Sequence, residues 1–360
     1  MRRLAFSTLL LLCTLLVTQA QTITPWQPLY KGIDFARGTN LGPNATFTHL
    51  MVVTCLKIDL TDPDIQFLAT PRAPGYLPPS RETISAALPN FLRTNGLAVA
   101  SDCNFYNPSQ PAGEGIGLQV YGLAISRGVT VSAGEPSDQI RDASILFTTN
   151  KTPFIVYHNQ YPGTNTAGIY TAVSGFYPVL SNGVNVASWA VANYPDPTIH
   201  QVQPRTVFGL SQDRRYFFMM VIDGRQLSTG YSDGSTDTET ATWLQMFGAW
   251  DGINMDGGGS SAIYRSECGT PVAMTRSSDI VSFVKHERYI GSHLGVYAKS
   301  LPQFVDNVVV NASDTSASIT WSTSTPTSGN IDYGLTASYG NSTPLNGMLV
   351  TKHVATLNNL

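Results

Sequence analysis

The segment Asp256-Gly257-Gly258-Gly259-Ser260 holds the densest potential chemistry in this 360-residue chain. Consecutive glycines cost backbone entropy, so a folded protein keeps them where φ must be positive or where backbone must approach something closely. Their N–H groups can line a concave nest for an anion, phosphate above all. The same residues also suit a tight turn between Ile253 and Ile263, and both readings stand at this stage. No Gly-Lys-[Ser/Thr] follows, so the segment is not a P-loop. Two arginines border apolar runs: Arg205, in Gln203-Pro204-Arg205-Thr206, just before one, and Arg225, in Asp223-Gly224-Arg225, just after another. A planar guanidinium grips phosphate oxygens two at a time. With only 21 Lys+Arg in the chain, two such arginines and a triple glycine fit a phosphate clamp, although each arginine alone also suits a surface ion pair.

Elements must deliver these groups. Leu50 to Leu60 and Ile65 to Thr70 are apolar and β-branched, divided by Thr61-Asp62-Pro63-Asp64, and predict a hairpin. The spacing of Ile84, Ala87, Leu88 and Leu92 predicts a helix over 83–94, stopped at Asn95-Gly96. Leu97 to Ala100 then reads as a buried strand that brings Ser101-Asp102-Cys103-Asn104-Phe105-Tyr106 to its end. Thr206 to Ser211 and Tyr216 to Ile222 predict a second hairpin across Gln212-Asp213-Arg214. Thr236 and Glu239 fit a capping box, Trp243, Leu244 and Phe247 share a helical face, and Gly248 ends the helix. Gly252 to Met255 reads as a brief strand from which the glycine loop opens. Strands and helices in this order predict an α+β class, a mixed sheet with packed helices.

Composition excludes several functions. Charged residues are 12% and the net charge is −3, which offers nothing to nucleic acid or anionic lipid. The start, Met1-Arg2-Arg3 followed by an apolar stretch from Leu4 to Val17 and a small residue at Ala20, predicts a signal peptide over 1–20 and hence a secreted protein, extracellular or periplasmic, with no integral membrane association. Cys55, Cys103 and Cys268 remain after it; one pair is permitted, Cys55 with Cys268 preferred, and no Cys-x-x-Cys suggests zinc. Asn44, Asn150, Asn311 and Asn341 lie in glycosylation sequons. His158, His200 and His293 read as structural. Asp233, Asp237 and Glu239 have a faintly calcium-like spacing that helix capping explains better, so neither metal nor cofactor is called for.

The order of the motifs resembles the phosphodiester glycosidases, a family that includes the animal enzyme uncovering mannose 6-phosphate. Pro204-Arg205-Thr206, Val221-Ile222-Asp223-Gly224-Arg225 and Asn254-Met255-Asp256-Gly257-Gly258-Gly259-Ser260 carry the resemblance, with Tyr289 to Val296 similar to the closing strand. Ser101-Asp102-Cys103 stands where the family has an Asn-Gly pair, a departure that alters the pocket. The resemblance implies a domain over 45–300 that hydrolyses a sugar-1-phosphodiester, with N-acetylglucosamine as the model sugar and an envelope or extracellular glycopolymer as the partner. It implies Asp256 as the catalytic carboxylate, with an Asx-turn cap as its bland role, and Asp223 as second candidate. Arg205, Thr206, Arg225, Asn104, Asn254, Gly257, Gly258, Gly259 and Ser260 would bind substrate. A non-catalytic glycan-binding or exopolysaccharide-assembly protein is the alternative. From Pro302 the chain turns into short Ser/Thr-bounded strands with a buried Trp321, similar to the start of a fibronectin type III module of the kind found in purple acid phosphatases. About 60 residues over 302–360 predict an incomplete β-sandwich, since a full one takes roughly 90 to 100.

Overall fold

The computed structural model describes residues 21–134, 143–157, 166–194, 198–278, 280–281, 284–285, 287–301, 305–336, 338–358 and 360. The expected leader over 1–20 and His158 therefore lie outside the described residues. The chain divides into two compact units, one built on Gly32–Ala298 and one on Lys299–Leu360 with Leu29–Lys31.

The first unit is mostly β, which corrects the α+β expectation. Strand makes up 49% of the structure and helix 10%. The described residues contain three α-helices, α1 (Leu88–Asn95), α2 (Ala187–Asn193) and α3 (Asp237–Met246), none longer than ten residues. The helical spacing over 83–94 is real only in its second half. Thr83–Ile84 and Ala86–Ala87 are short strands, and the helix starts where Pro89 can occupy the first turn. It stops at Gly96, whose φ of 62° provides a left-handed cap. The stretch between Tyr106 and Ser181, which carries no strong periodic signal, supplies further strands, among them Leu123–Ser126, Ala143–Thr148 and Ile169–Gly175 in one five-stranded sheet.

A nine-stranded antiparallel sheet runs, in its central part, Ile33–Asn40, Met51–Asp59, Tyr216–Ile222, Arg205–Leu210, Asp251–Gly257 and Pro178–Ser181. The hairpin expected from Thr206 to Ile222 forms in register, Arg205 opposite Ile222 and Leu210 opposite Phe217. Both of its strands are buried nearly throughout, so their sequences read as continuous apolar runs instead of alternating ones. The other expected hairpin does not form. Met51–Asp59 stays in this sheet, whereas Gln66–Ala69 joins a second, five-stranded sheet with His293–Tyr297, Val99–Asp102, Ile263–Glu267 and Thr270–Ala273. Asp62 and its neighbours are thus a corner between sheets.

α3 is fixed by the predicted capping box: the Thr236 hydroxyl accepts from the Glu239 N–H and the Glu239 carboxylate accepts from the Thr236 N–H. Its Trp243 is fully buried, stacks 4.7 Å from Phe47 and lies against Gly38, where an added Cβ would come within 2.6 Å of the indole. Cys55, Cys103 and Cys268 are all free, Cys55 and Cys103 buried and Cys268 exposed. The preferred Cys55–Cys268 pairing is therefore wrong: Cys55 is sealed in the core of the large sheet. His293 is likewise structural. Burial holds it down to about 4, and it bonds Thr70 and the Ala86 carbonyl.

In the second unit, Val305–Ala312, Ser316–Gly329 and Asn346–Asn358 form a three-stranded antiparallel sheet. Trp321 stacks on His353 at 4.9 Å over a small cluster of Ala317, Ile319 and Leu357. Among the described residues no helix is long and apolar enough to cross a membrane.

Candidate active site

The Asp251–Gly257 strand ends the run through the large sheet, a single 3₁₀ turn over Gly258–Ser260 follows, and Ile263–Glu267 enters the second sheet. The triple glycine is therefore the corner where the chain changes sheets. The end of Val99–Asp102 meets it there, because the Asp256 N–H donates to the Cys103 carbonyl at 2.8 Å. A third close approach fixes the other side: Gly175 passes so near the Asn254 carbonyl that any Cβ would collide with it.

Above this corner opens a cleft of about 160 Å3. Asn254, Met255, Asp256, Gly257 and Gly258 form its floor, Phe105 and Phe176 one wall, and Thr198, Ile199, Gln203, Pro204, Arg205 and Arg225 the other. The two phenylalanine rings pack 3.6 Å apart between centroids, tilted by 40°. Phe176 belongs to the buried core of the large sheet, and the partly exposed Phe105 packs against it. Asp256 is 8% exposed and its Oδ1 accepts from the Gly257 N–H at 2.8 Å. Asn254 is buried, and its Oδ1, sealed from solvent, has no hydrogen-bond partner among the described residues.

The glycine loop is tighter than an open anion nest. The Gly257 N–H is engaged by Asp256 and the Gly258 N–H by the Pro204 carbonyl at 3.0 Å. Gly259 and Ser260 are buried beneath, with the Ser260 hydroxyl 3.2 Å from that of Tyr106. Gly258 alone of the three has positive φ, 64°, and a Cβ there would stand 2.9 Å from the Arg225 Nη2. We therefore expect Gly258→Ala to cost about 1–2 kcal/mol of stability for the left-handed backbone. By displacing Arg225 it should raise KM more than it lowers kcat; thermal melting and steady-state kinetics on one substrate check both.

The two arginines differ. Arg225 is exposed at the rim, with its Nε and Nη2 both donating to the Gln203 side chain at 2.9 and 2.5 Å. Arg205 is 4% exposed and donates to the carbonyls of Ile199, Gln201 and Ser235, with Asp237 at 3.4 Å. Asp237 also accepts from Tyr177 at 2.7 Å and from His200 at 2.6 Å, and burial in this network pushes the Tyr177 hydroxyl well above its ordinary range. Arg205 thus ties down the wall segment around Ile199 and Gln201.

Other sequence candidates lie away from the cleft. Asp223 is buried and accepts from Tyr231 Oη and from the Arg276 N–H, both at 2.9 Å. Asn104 is buried, donating to the carbonyls of Tyr121 and Leu123 and accepting from Ser292. Thr206 is buried and donates to Asp102 at 2.9 Å. All three hold the scaffold. The residue that sequence reasoning passed over is Asp102. It is 1% exposed, its Oδ1 takes three hydrogen bonds, from Ser101, Thr206 and the Ala262 N–H, and its Oδ2 has none among the described residues. Burial, and then the charge of Asp256, raise its carboxyl well above the usual carboxylate range. Its one visible signal was the departure of Ser101-Asp102-Cys103 from the expected motif.

The mostly β scaffold thus brings a carboxylate at a glycine corner, an aromatic wall and an arginine rim to one cleft. The phosphodiester glycosidase family profile matches residues 95–297, more than half of the chain, and the chain belongs to that family, whose members are hydrolases of phosphodiester glycosides. Among solved structures, the chain is similar to the catalytic domain of zebrafish N-acetylglucosamine-1-phosphodiester alpha-N-acetylglucosaminidase, auto-inhibited by its pro-peptide. That likeness has a TM-score of 0.57 at 14% identity, over 78% of this chain and 88% of that one. A putative exported protein from Burkholderia pseudomallei K96243 aligns with a TM-score of 0.53 at 12% identity, over 77% and 96% of the two chains. A hypothetical protein from Synechocystis aligns with a TM-score of 0.50 at 14% identity, over 75% and 62%. At these identities the likenesses show a shared fold. No curated protein sequence matches the chain.

Proposed function

We propose that the protein hydrolyses the bond between the anomeric carbon of a sugar and the phosphate oxygen of a phosphodiester, releasing the free sugar and a phosphomonoester. The observation that carries this reading is the cleft itself, which gathers Asp256, Asn254, Gly257, Gly258 and Arg225 from motifs separated in sequence. In this reading Phe105 and Phe176 take the sugar face, Asn254 bonds a sugar hydroxyl, and Arg225 receives the phosphate. As the C1–O bond breaks, positive charge grows at the ring, and the Asp256 carboxylate is placed to stabilise it and to serve the attacking water. A phosphodiester departs as a weakly basic anion, so the leaving oxygen needs little protonation. Arg205 and Thr206 act indirectly, Arg205 by holding the cleft wall and Thr206 by holding Asp102.

N-acetylglucosamine-1-phosphodiester is the first substrate to test, because the zebrafish relative is named for it. At about 160 Å3 the cleft is no larger than a single sugar unit, so the rest of the substrate, the phosphate and its aglycone, would extend past the Arg225 rim in this reading. Purified protein should release free sugar from at least one member of a panel of sugar-1-phosphodiesters. Binding without release across the panel would favour a glycan-binding role instead. We further propose that the protein is exported and that residues 302–360 form a fibronectin-like appendage with no part in the chemistry. Each residue given a role lies within Gly32–Ala298. Deleting 302–360 should leave kcat within about twofold of the full chain on the scale of ordinary mutant kinetics. Loss of turnover in a truncated protein that keeps its circular dichroism spectrum would overturn that assignment.

A further inference from the structure

We propose that Arg276 sets the choice of leaving group by taking a second anionic group on the aglycone, so that the preferred substrate is a sugar-1-phosphodiester whose aglycone is itself phosphorylated. The proposal rests on the reading in which Arg225 receives the scissile phosphate, and it names the part of the substrate beyond that phosphate.

Three hydrogen bonds hold the backbone of 276–278 against the cleft rim. The Arg276 N–H donates to Asp223 Oδ1 at 2.9 Å, the Gln226 Nε2 donates to the Arg276 carbonyl at 3.1 Å, and the Ser278 hydroxyl donates to the Gly258 carbonyl at 3.1 Å. Asp223 and Gln226, both buried, lie on either side of Arg225 in the chain. Gly258 is the floor position where an added Cβ would stand 2.9 Å from the Arg225 Nη2. Arg276 is therefore anchored, through its own N–H and carbonyl, to the turn that carries Arg225. Its side chain is exposed, and its Cζ lies 4.6 Å from the centroid of the Tyr231 ring. Tyr231 in turn donates to Asp223 Oδ2 at 2.9 Å, so one buried carboxylate pins both the arginine backbone and the ring under its guanidinium.

Stacking on a ring occupies the flat face of a guanidinium and leaves its five N–H donors, which lie in the plane, for other partners. Among the described residues none of the Arg276 donors has a hydrogen-bond or ion-pair partner on its side chain. Arg205, Arg214 and Arg215 differ, each with an aspartate oxygen, at 3.4, 2.5 and 2.7 Å. A stacked guanidinium with its edge open offers a planar fork to a pair of anionic oxygens. Arg276 is not among the residues that line the cleft, and it is tied to the rim past which the aglycone extends. A neutral aglycone gains nothing from it; a phosphate there takes up its charge.

Two compounds of one sugar test this: the phosphodiester to glycerol, and the same compound with the far glycerol hydroxyl phosphorylated. The sugar is N-acetylglucosamine, or whichever one the protein releases. At low ionic strength wild type should show kcat/KM about fivefold higher on the phosphorylated compound, mainly through KM, as one exposed charge contact provides. That preference should fade by about 0.5 M salt. Arg276→Gln keeps a stem to pack on Tyr231 and removes the charge. It should lose the preference while kcat/KM on the unphosphorylated compound stays within about twofold of wild type. An arginine that only packs on Tyr231 predicts equal losses on both compounds. Equal losses, no preference in wild type, or a preference that survives in Arg276→Gln overturns the proposal. Calorimetric titration of both compounds into Asp256→Asn protein makes the comparison without turnover. The phosphorylated compound should bind about fivefold tighter there, and equally once Arg276→Gln is added. If wild type releases sugar from neither compound while that binding difference holds, the hydrolase reading fails and the Arg276 contact stands. Equal binding of the two compounds by Asp256→Asn protein ends the Arg276 proposal whatever the turnover.

Discussion

Asp256→Asn should lower kcat by about 10² or more while the protein melts at or slightly above the wild-type temperature. Asparagine keeps the volume of the side chain and an Oδ1 acceptor for the Gly257 N–H, and the backbone bond to Cys103 is untouched. The corner therefore survives. What disappears is the negative charge facing the anomeric carbon, the element on which the proposed chemistry depends, and with it the pressure that Asp256 places on Asp102. A role limited to capping the turn predicts the reverse pattern, a lowered melting temperature with kcat nearly kept. Asp223 does not stand in for it: Tyr231 and the Arg276 backbone occupy that carboxylate, outside the cleft. Steady-state kinetics and thermal melting on the same two preparations decide between the roles.

Arg205→Ala should be mainly a folding lesion, costing about 3–5 kcal/mol, because it strips a buried partner from a buried network. Asp237 would remain 2% exposed beside Tyr177 and His200 with its arginine gone, and the carbonyls of Ile199 and Gln201 would lose their donors. For a domain of this size that is a fall of roughly 6–20 °C in melting temperature. Activity should fall as the wall at Ile199 loosens. Arg205→Lys keeps the charge near Asp237 but cannot reach all the carbonyls, so it should lie between the two. If Arg205→Ala keeps its melting temperature and loses only affinity, the guanidinium binds phosphate directly and its structural role here is wrong.

Much of the site was legible in the sequence because corners leave strong chemical marks. The Thr236–Glu239 capping box forms as read, and Gly257, Gly258 and Arg225 do reach one cleft, although the N–H groups expected to form an anion nest are engaged within the chain at Gly257 and Gly258. The fold class was not legible. Short strands such as Leu123–Ser126 are specified by pairing across distant chain segments, which no local period announces, while the apolar spacing at 84–92 overstated one eight-residue helix. The division of labour among polar groups was hidden for a related reason. Arg205 and Arg225 look alike beside strand ends; only the fold reveals that one is buried on carbonyls and the other lies at the rim. Asp102 appeared only as a motif departure; that it is buried at the glycine corner, bonded by Ser101, Thr206 and the Ala262 N–H, is visible only in the fold.

The central claim concerns which bond breaks, and oxygen-18 water tests it directly. Wild-type protein is incubated with N-acetylglucosamine-1-phosphodiester, or with whichever panel member is turned over, in labelled water, and both products are weighed by mass spectrometry. Cleavage between the anomeric carbon and oxygen places the label in the hydroxyl of the released sugar and leaves the phosphomonoester unlabelled. Label in the phosphate with an unlabelled sugar would mean attack at phosphorus, and would contradict a glycosidase built around Asp256.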